Sequence, residues 1–162
     1  MGQGSRDKGQ GKVVAIVPAA GLGKRFGEEK NKPFYPLMDK PLIVWALEKL
    51  QKADEIIEII PVLKEEDLIL CGEIVEKYNI TKVRRIVPGG KERQDSVYNG
   101  MKMLDDNTSI VVIHDGARPF IEMDLIKRTI DGVKGYDGAV AAVPVKDTIK
   151  EVYGRGDCPG IT

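Results

Sequence analysis

The chain is poor in the histidine and cysteine from which metal cages and disulfide frameworks are built, and it lacks the long apolar run of a membrane span. It has one histidine, and its two cysteines, Cys71 and Cys158, lack metal-ligand spacing and are too few to staple a fold. That usage fits a reducing cytoplasm. No apolar run approaches the ~20 residues that a membrane helix needs, so no membrane partner is expected. Neither sign of charge prevails: 25 Lys plus Arg oppose 25 Asp plus Glu, which gives no blanket attraction to nucleic acid or to an anionic surface. Any anion site must therefore be local. The first twelve residues, MGQGSRDKGQGK, lack the apolar stretch of a signal peptide and read as a disordered leader.

What is present is an alternation of short β-rich runs and longer helical patterns in a chain of 162 residues, the length of one domain. Strands are expected at Val13 to Pro18, Ile56 to Val62, Val83 to Val87, Ile110 to Ile113 and Gly138 to Val145. Helices are expected between them. The first has Pro41 at its first helical position, Leu42, Ile43, Ala46, Leu47 and Leu50 at helical spacing, and Trp45 packed inward. Others run over Glu65 to Tyr78, Ser96 to Leu104 (with Val97, Met101 and Leu104 on one face) and Asp124 to Val133. This order predicts an α/β fold: a Rossmann-like open, mostly parallel sheet with helices on both faces. The core is expected over residues 13–150, and 151–162 reads as an irregular tail.

Every chemically loaded segment falls just after an expected strand, at the sheet edge where ligands bind in open α/β folds. Gly21 and Gly23 let backbone amides approach a phosphate, and Lys24 and Arg25 follow at once. The alternative is an ordinary strand-to-helix turn. The P-loop pattern is absent because Arg25 stands where Ser or Thr is required, and the dinucleotide fingerprint fails because Phe26 stands where glycine is required, which leaves a nicotinamide enzyme as a runner-up. Arg25 and Lys32 are the candidate catalytic cations, since positive groups placed where charge grows on phosphate oxygens supply much of nucleotidyl transfer. Lys24, Glu29 and Lys30 read as solvated.

Asp115 can place a carboxylate in the crevice as a Mg²⁺ ligand. The plain alternative is that it pairs with Arg118 or caps its turn. His114 reads as a hydrogen-bonded structural histidine. The segment Gly89 to Ser96 offers amides and a hydroxyl that could read a base edge, with Arg93 bracing the loop or a phosphate; the plain alternative is a helix N-terminus capped by Asp95 or Ser96.

Taken together and in order, PAAGLGKRF, NKPFYPL, PGGKERQDSV, HDGARPF and VPVKDTIK resemble the 2-C-methyl-D-erythritol 4-phosphate cytidylyltransferase family, over about Val13 to Lys150. The related enzymes that load CTP onto ribitol 5-phosphate typically carry Ala-Gly-Gly in the first loop, where this chain has Pro18-Ala19-Ala20-Gly21. The resemblance implies a fold of the nucleotide-diphospho-sugar transferase type, CTP and a sugar-alcohol phosphate as substrates, Mg²⁺ as cofactor, and a cytoplasmic homodimer. It implies that Arg25 and Lys32 stabilise the transition state and that Pro18, Ala19, Ala20, Gly21 and Gly23 hold CTP. It implies further that Gly90, Lys91 and Ser96 contact cytidine, that Asp115 binds metal, and that Asp147 and Thr148 touch methylerythritol phosphate across a dimer interface. Family members continue well beyond this point, and VYGRGDCPGIT does not resemble their continuation. The expectation is thus an incomplete nucleotidyltransferase core that keeps part of its CTP site. The alternatives are a ribitol-5-phosphate cytidylyltransferase, a noncatalytic nucleotide-binding module and, third, a nicotinamide oxidoreductase.

Overall fold

The computed structural model describes residues 11–21 and 32–148; the expected leader up to residue 10, the tail, and the loop holding Gly23 and Arg25 lie outside the described residues. The main sheet has four strands: β1 (Lys12–Pro18), β4 (Ile56–Leu63), β5 (Val87–Pro88) and β6 (Thr108–Ile113). Their order is β5-β4-β1-β6, with every pairing parallel. The chain leaves β1 to one side and returns to β6 on the other, so β1 and β6 flank a topological switch point.

β1 is apolar along its length because both faces are covered. Val13, Ala15 and Val17 join one hydrophobic cluster with α1 (Leu42–Lys52), α2 (Leu68–Lys77) and α4 (Met123–Gly132), while Val14 and Ile16 join a second with Ile60, Val62 and Val87. Helix α3 (Arg93–Met101) lies over that second face. The register slips between Val13, opposite Ile56, and Val14, opposite Glu58, so Ile57 is the extra residue of a bulge. Glu58 is nonetheless buried, and its Oε1 lies 2.8 Å from Arg85 Nε. Cys71 is a buried free thiol; burial, then the Asp67 charge, pushes its pKa up to about 12.

Several expectations change. Pro41 is the residue before α1 rather than its first turn, and Trp45 is half-buried, donating Nε1–H to Leu37 O at 3.2 Å. That bond ties a short hairpin, β2 (Pro36–Leu37) and β3 (Lys40–Pro41), onto α1. The third strand contracts to Val87–Pro88, with an isolated bridge from Val83 to Ile59.

The helix expected over 96–104 starts earlier and turns a different face inward: Ser96 and Gly100 are buried, while Met101 is exposed. Ile16 explains this, since a Cβ on Gly100 would sit 2.7 Å from Ile16 Cγ2. Small residues bury themselves here by letting the helix backbone close on the sheet. The fifth strand expected at Gly138 to Val145 does not form, and Val140 and Val143 stand exposed; no described strand lies alongside to take its hydrogen bonds. Among the described residues no helix is long and apolar enough to cross a membrane.

Candidate active site

Backbone hydrogen bonds bring the loops after β1, β5 and β6 together. Ala19 N–H donates to Val62 O (2.7 Å), Gly116 N–H to Pro18 O (3.1 Å) and Gly89 N–H to Leu63 O (2.6 Å). A Cβ on Gly89 would stand 2.5 Å from Ala20 Cβ and 2.9 Å from Ser96 Oγ, so only glycine lets the first loop and the diglycine turn touch.

Between these loops lies a cavity of about 680 Å³. It is lined by Pro18, Ala19, Ala20, Gly21, Lys32, Gly90, Lys91, Ser96 and Asp115, all expected from sequence; by Arg93, offered as a brace for the loop or a phosphate, and Arg118, offered as a partner of Asp115; and by Pro33, Glu92 and Ala117, which sequence reading did not assign. Gly23 and Arg25 lie outside the described residues. Asp147 and Thr148 are exposed, in irregular chain, and are not part of this lining. Lys32, Lys91, Arg93 and Arg118 outnumber Glu92 and Asp115, so the described wall is positive on balance in a chain of zero net charge. A walled, positive cleft concentrates polyanions. A smaller hollow of about 290 Å³ beside β5 holds none of the expected site residues.

Lys32 is placed by its neighbours. It begins a single 3₁₀ turn, Lys32–Phe34, in which Pro33 is buried and Phe34 packs against the main cluster. Leu42 N–H donates to Tyr35 O (3.0 Å) and Lys40 Nζ pairs with Glu48 Oε2 at 2.7 Å, fastening the segment to α1.

On the other side, α3 presents its N-terminus to the cavity, an end where unpaired amides and the helix dipole favour anions. Its cap is Glu92, not Asp95 or Ser96: Asp95 occupies the third helical position and its Oδ2 accepts the Glu92 N–H at 2.9 Å, closing a capping box. Ser96 Oγ accepts the Gly90 N–H (3.1 Å) and donates to Glu92 O (3.2 Å). The hydroxyl expected to meet cytidine is thus directed, in this arrangement, at its own loop.

Asp115 follows β6 and carries two guanidinium groups. Its Oδ1 accepts Nε (2.9 Å) and Nη2 (2.8 Å) of Arg93, and its Oδ2 lies 3.1 Å from Arg118 Nε. Among the described residues no three His, Cys, Asp or Glu side chains gather where they could share a metal ion. As it stands, this arrangement does not fit a metal at Asp115: both oxygens are occupied, and a divalent cation there would face two positive neighbours.

His114 is structural, as expected. Its Nε2 lies 2.9 Å from Arg118 O, and since a carbonyl only accepts, Nε2 carries the proton. Burial pushes its pKa below the ordinary 6.5, partly offset by that bond and by Asp115. The neutral ring is favoured in the fold, so its contribution to stability is present above pH 6.5 and is lost as pH falls below it. The single imidazole signal in a proton NMR titration should turn over below 6.5 in the native chain and near 6.5 in urea. Equal midpoints would show that the ring is not held as described.

Residues 13–158 match the family described as "IspD: 2-C-methyl-D-erythritol 4-phosphate cytidylyltransferase". The chain is 46% identical over 139 residues to the 2-C-methyl-D-erythritol 4-phosphate cytidylyltransferase of Clostridium botulinum (strain Okra / Type B1), covering 86% of this chain and 61% of that protein. To the protein of the same name from Syntrophus aciditrophicus (strain SB) it is 44% identical over 146 residues, covering 90% and 62%. Among solved structures, the 4-diphosphocytidyl-2C-methyl-D-erythritol synthase of Anaerococcus prevotii DSM 20548 superposes with a TM-score of 0.77 at 30% identity, covering 89% of this chain and 60% of that one. The chain therefore spans about three-fifths of the length of these relatives. With the parallel sheet, the switch-point cavity and the family match over nearly all of its residues, the chain belongs to the 2-C-methyl-D-erythritol 4-phosphate cytidylyltransferase family.

Proposed function

We propose that this chain forms the CTP-binding core of an enzyme that transfers a cytidylyl group from CTP to 2-C-methyl-D-erythritol 4-phosphate, releasing pyrophosphate, in non-mevalonate isoprenoid biosynthesis. One observation carries this reading: the loops after β1, β5 and β6 meet at a single cavity whose described wall holds Lys32, Lys91, Arg93 and Arg118. A phosphate oxygen of the acceptor attacks the α-phosphorus of CTP in line; the new P–O bond forms as the bond to the β-phosphate breaks. No covalent enzyme intermediate is needed. The protein's task is to align two anions that repel each other and to neutralise charge as it moves onto pyrophosphate. Lys32 and, by its place in the matched motif, Arg25 serve that end. Mg²⁺ enters this reading as the counter-ion of the triphosphate, because Asp115, the expected protein ligand, is already held by two guanidinium groups. The working form is a cytoplasmic homodimer in which Asp147 and Thr148 serve the partner copy, which agrees with their exposure and their absence from the lining of their own cavity.

That last observation also favours a second reading, a module that binds the nucleotide without transferring it. Pyrophosphate release from CTP separates the two. Release that depends on methylerythritol phosphate, and fails with ribitol 5-phosphate, supports the first reading. Binding of CTP with no release on either acceptor would replace it with the second.

A further inference from the structure

We propose that Asp115 is a positioning residue: it anchors Arg93 and Arg118 as a guanidinium pair at the mouth of the cavity, and it is not a metal ligand. The inference rests on the reading of the cavity as a nucleotide site. Arg93 stands in the first turn of α3 and Arg118 three residues after Asp115, so one carboxylate joins the loop after β5 to the loop after β6. Arg118 is itself pinned, its N–H donating to Asp115 O (3.0 Å) and its carbonyl held by His114.

An arginine has five N–H donors in a fixed fork. Arg93 commits two, Nε and Nη2, to the single oxygen Oδ1 of Asp115, which leaves three. Two guanidinium groups on one carboxylate leave a net positive charge, and both arginines line the cavity. The arrangement suits a ligand rich in phosphate oxygens. A lysine could not replace Arg93, because an ammonium lacks the fixed fork that gives two donors to Asp115 Oδ1 and keeps others for a ligand.

This makes a prediction opposite to simple charge counting. Removing an anion from an anion site ought to tighten triphosphate binding, whereas removing an anchor should loosen it. With metal chelated, Asp115→Asn is expected to weaken CTP binding on the order of tenfold in calorimetry, the loss of one charge-assisted contact. Arg93→Lys should fail to restore wild-type affinity, and Asp115→Asn combined with Arg93→Gln should be no weaker than either alone.

A nucleotide-free readout keeps the idea testable even if a variant misfolds. In the unaltered chain, the Nε–H signals of Arg93 and Arg118 should not move when Mg²⁺ alone is added. If Mg²⁺ alone displaces them, or if Asp115→Asn leaves metal-free CTP binding unchanged or tighter, the anchor role is overturned. Should the unaltered chain bind no CTP while these signals stay unmoved by Mg²⁺, the nucleotide reading of the cavity fails and the ion-pair geometry stands.

Discussion

Replacing Lys32 with alanine is expected to slow cytidylyl transfer ~10²- to 10³-fold, the usual cost of removing one preorganised group from a developing charge. The rate is to be followed in a polypeptide that catalyses transfer, this chain or this chain joined to the remaining two-fifths of a relative. Lys32 lines the cavity from a 3₁₀ turn fixed by buried Pro33 and by Phe34 beneath it. Because the turn is held by those residues and by α1, losing the ammonium should not disturb the fold, and the thermal midpoint should stay where it was. Arg25→Ala should behave alike if its place in the matched motif describes its role. The effect should appear mainly in kcat, since a group that acts as charge moves onto pyrophosphate contributes little before that moment. A rise in KM with kcat unchanged would make Lys32 a binding residue only.

The second large effect is on stability. Gly100→Ala puts a methyl 2.7 Å from Ile16 Cγ2, 3.2 Å from Ile16 Cδ1 and 3.3 Å from Val62 Cγ2. Helix propensity alone would make alanine better by ~1 kcal/mol. Overpacking costs ~1–3 kcal/mol, so the packing loss should win and the melting temperature should fall by a few degrees. Gly100→Val adds two more methyl groups at the same contact and should leave little folded chain. The damage should reach the cavity as well, because the first turns of α3 carry Arg93 and Ser96 and through them the diglycine loop. A melting temperature that rises in the alanine variant would mean that α3 does not lie on Ile16 as described.

Gly100 also shows where sequence reading meets its limit. β1 and β4 announce themselves as apolar runs because a strand covered on both faces has no other way to be stable, β6 is an apolar run although none of its residues is buried, and α1, α2 and α4 follow from the spacing of their large apolar residues. Helix α3 was expected from Val97, Met101 and Leu104, but the face it buries was not, since that face is Ser96 and Gly100: contact comes from the closeness of backbone to sheet, which hydrophobic spacing cannot register. The run from Gly138 to Val145 errs in the other direction. Its valines favour a strand, yet a strand forms only where it pairs, and this run pairs with no described strand although the outer side of β6 has no described partner; valine spacing cannot say which edge a run will join. In the cavity, the glycines, Lys32, Lys91 and Asp115 were legible because loops after parallel strands converge. The company of Asp115 was only half legible. Arg118 is three residues away and was foreseen as a partner, whereas Arg93 is 22 residues away, and spacing says nothing about which cation crosses a cleft to a carboxylate.

The central claim is that the loops after β1, β5 and β6 form one nucleotide site. Backbone amide NMR of the chain titrated with CTP tests it most directly. The largest shifts should fall together at Ala20, Gly21, Gly90, Lys91, Asp115 and Ala117, with the β5-side hollow around Ile86 and Met103 unmoved. Shifts centred on that hollow, or confined to one of the three loops, would contradict it.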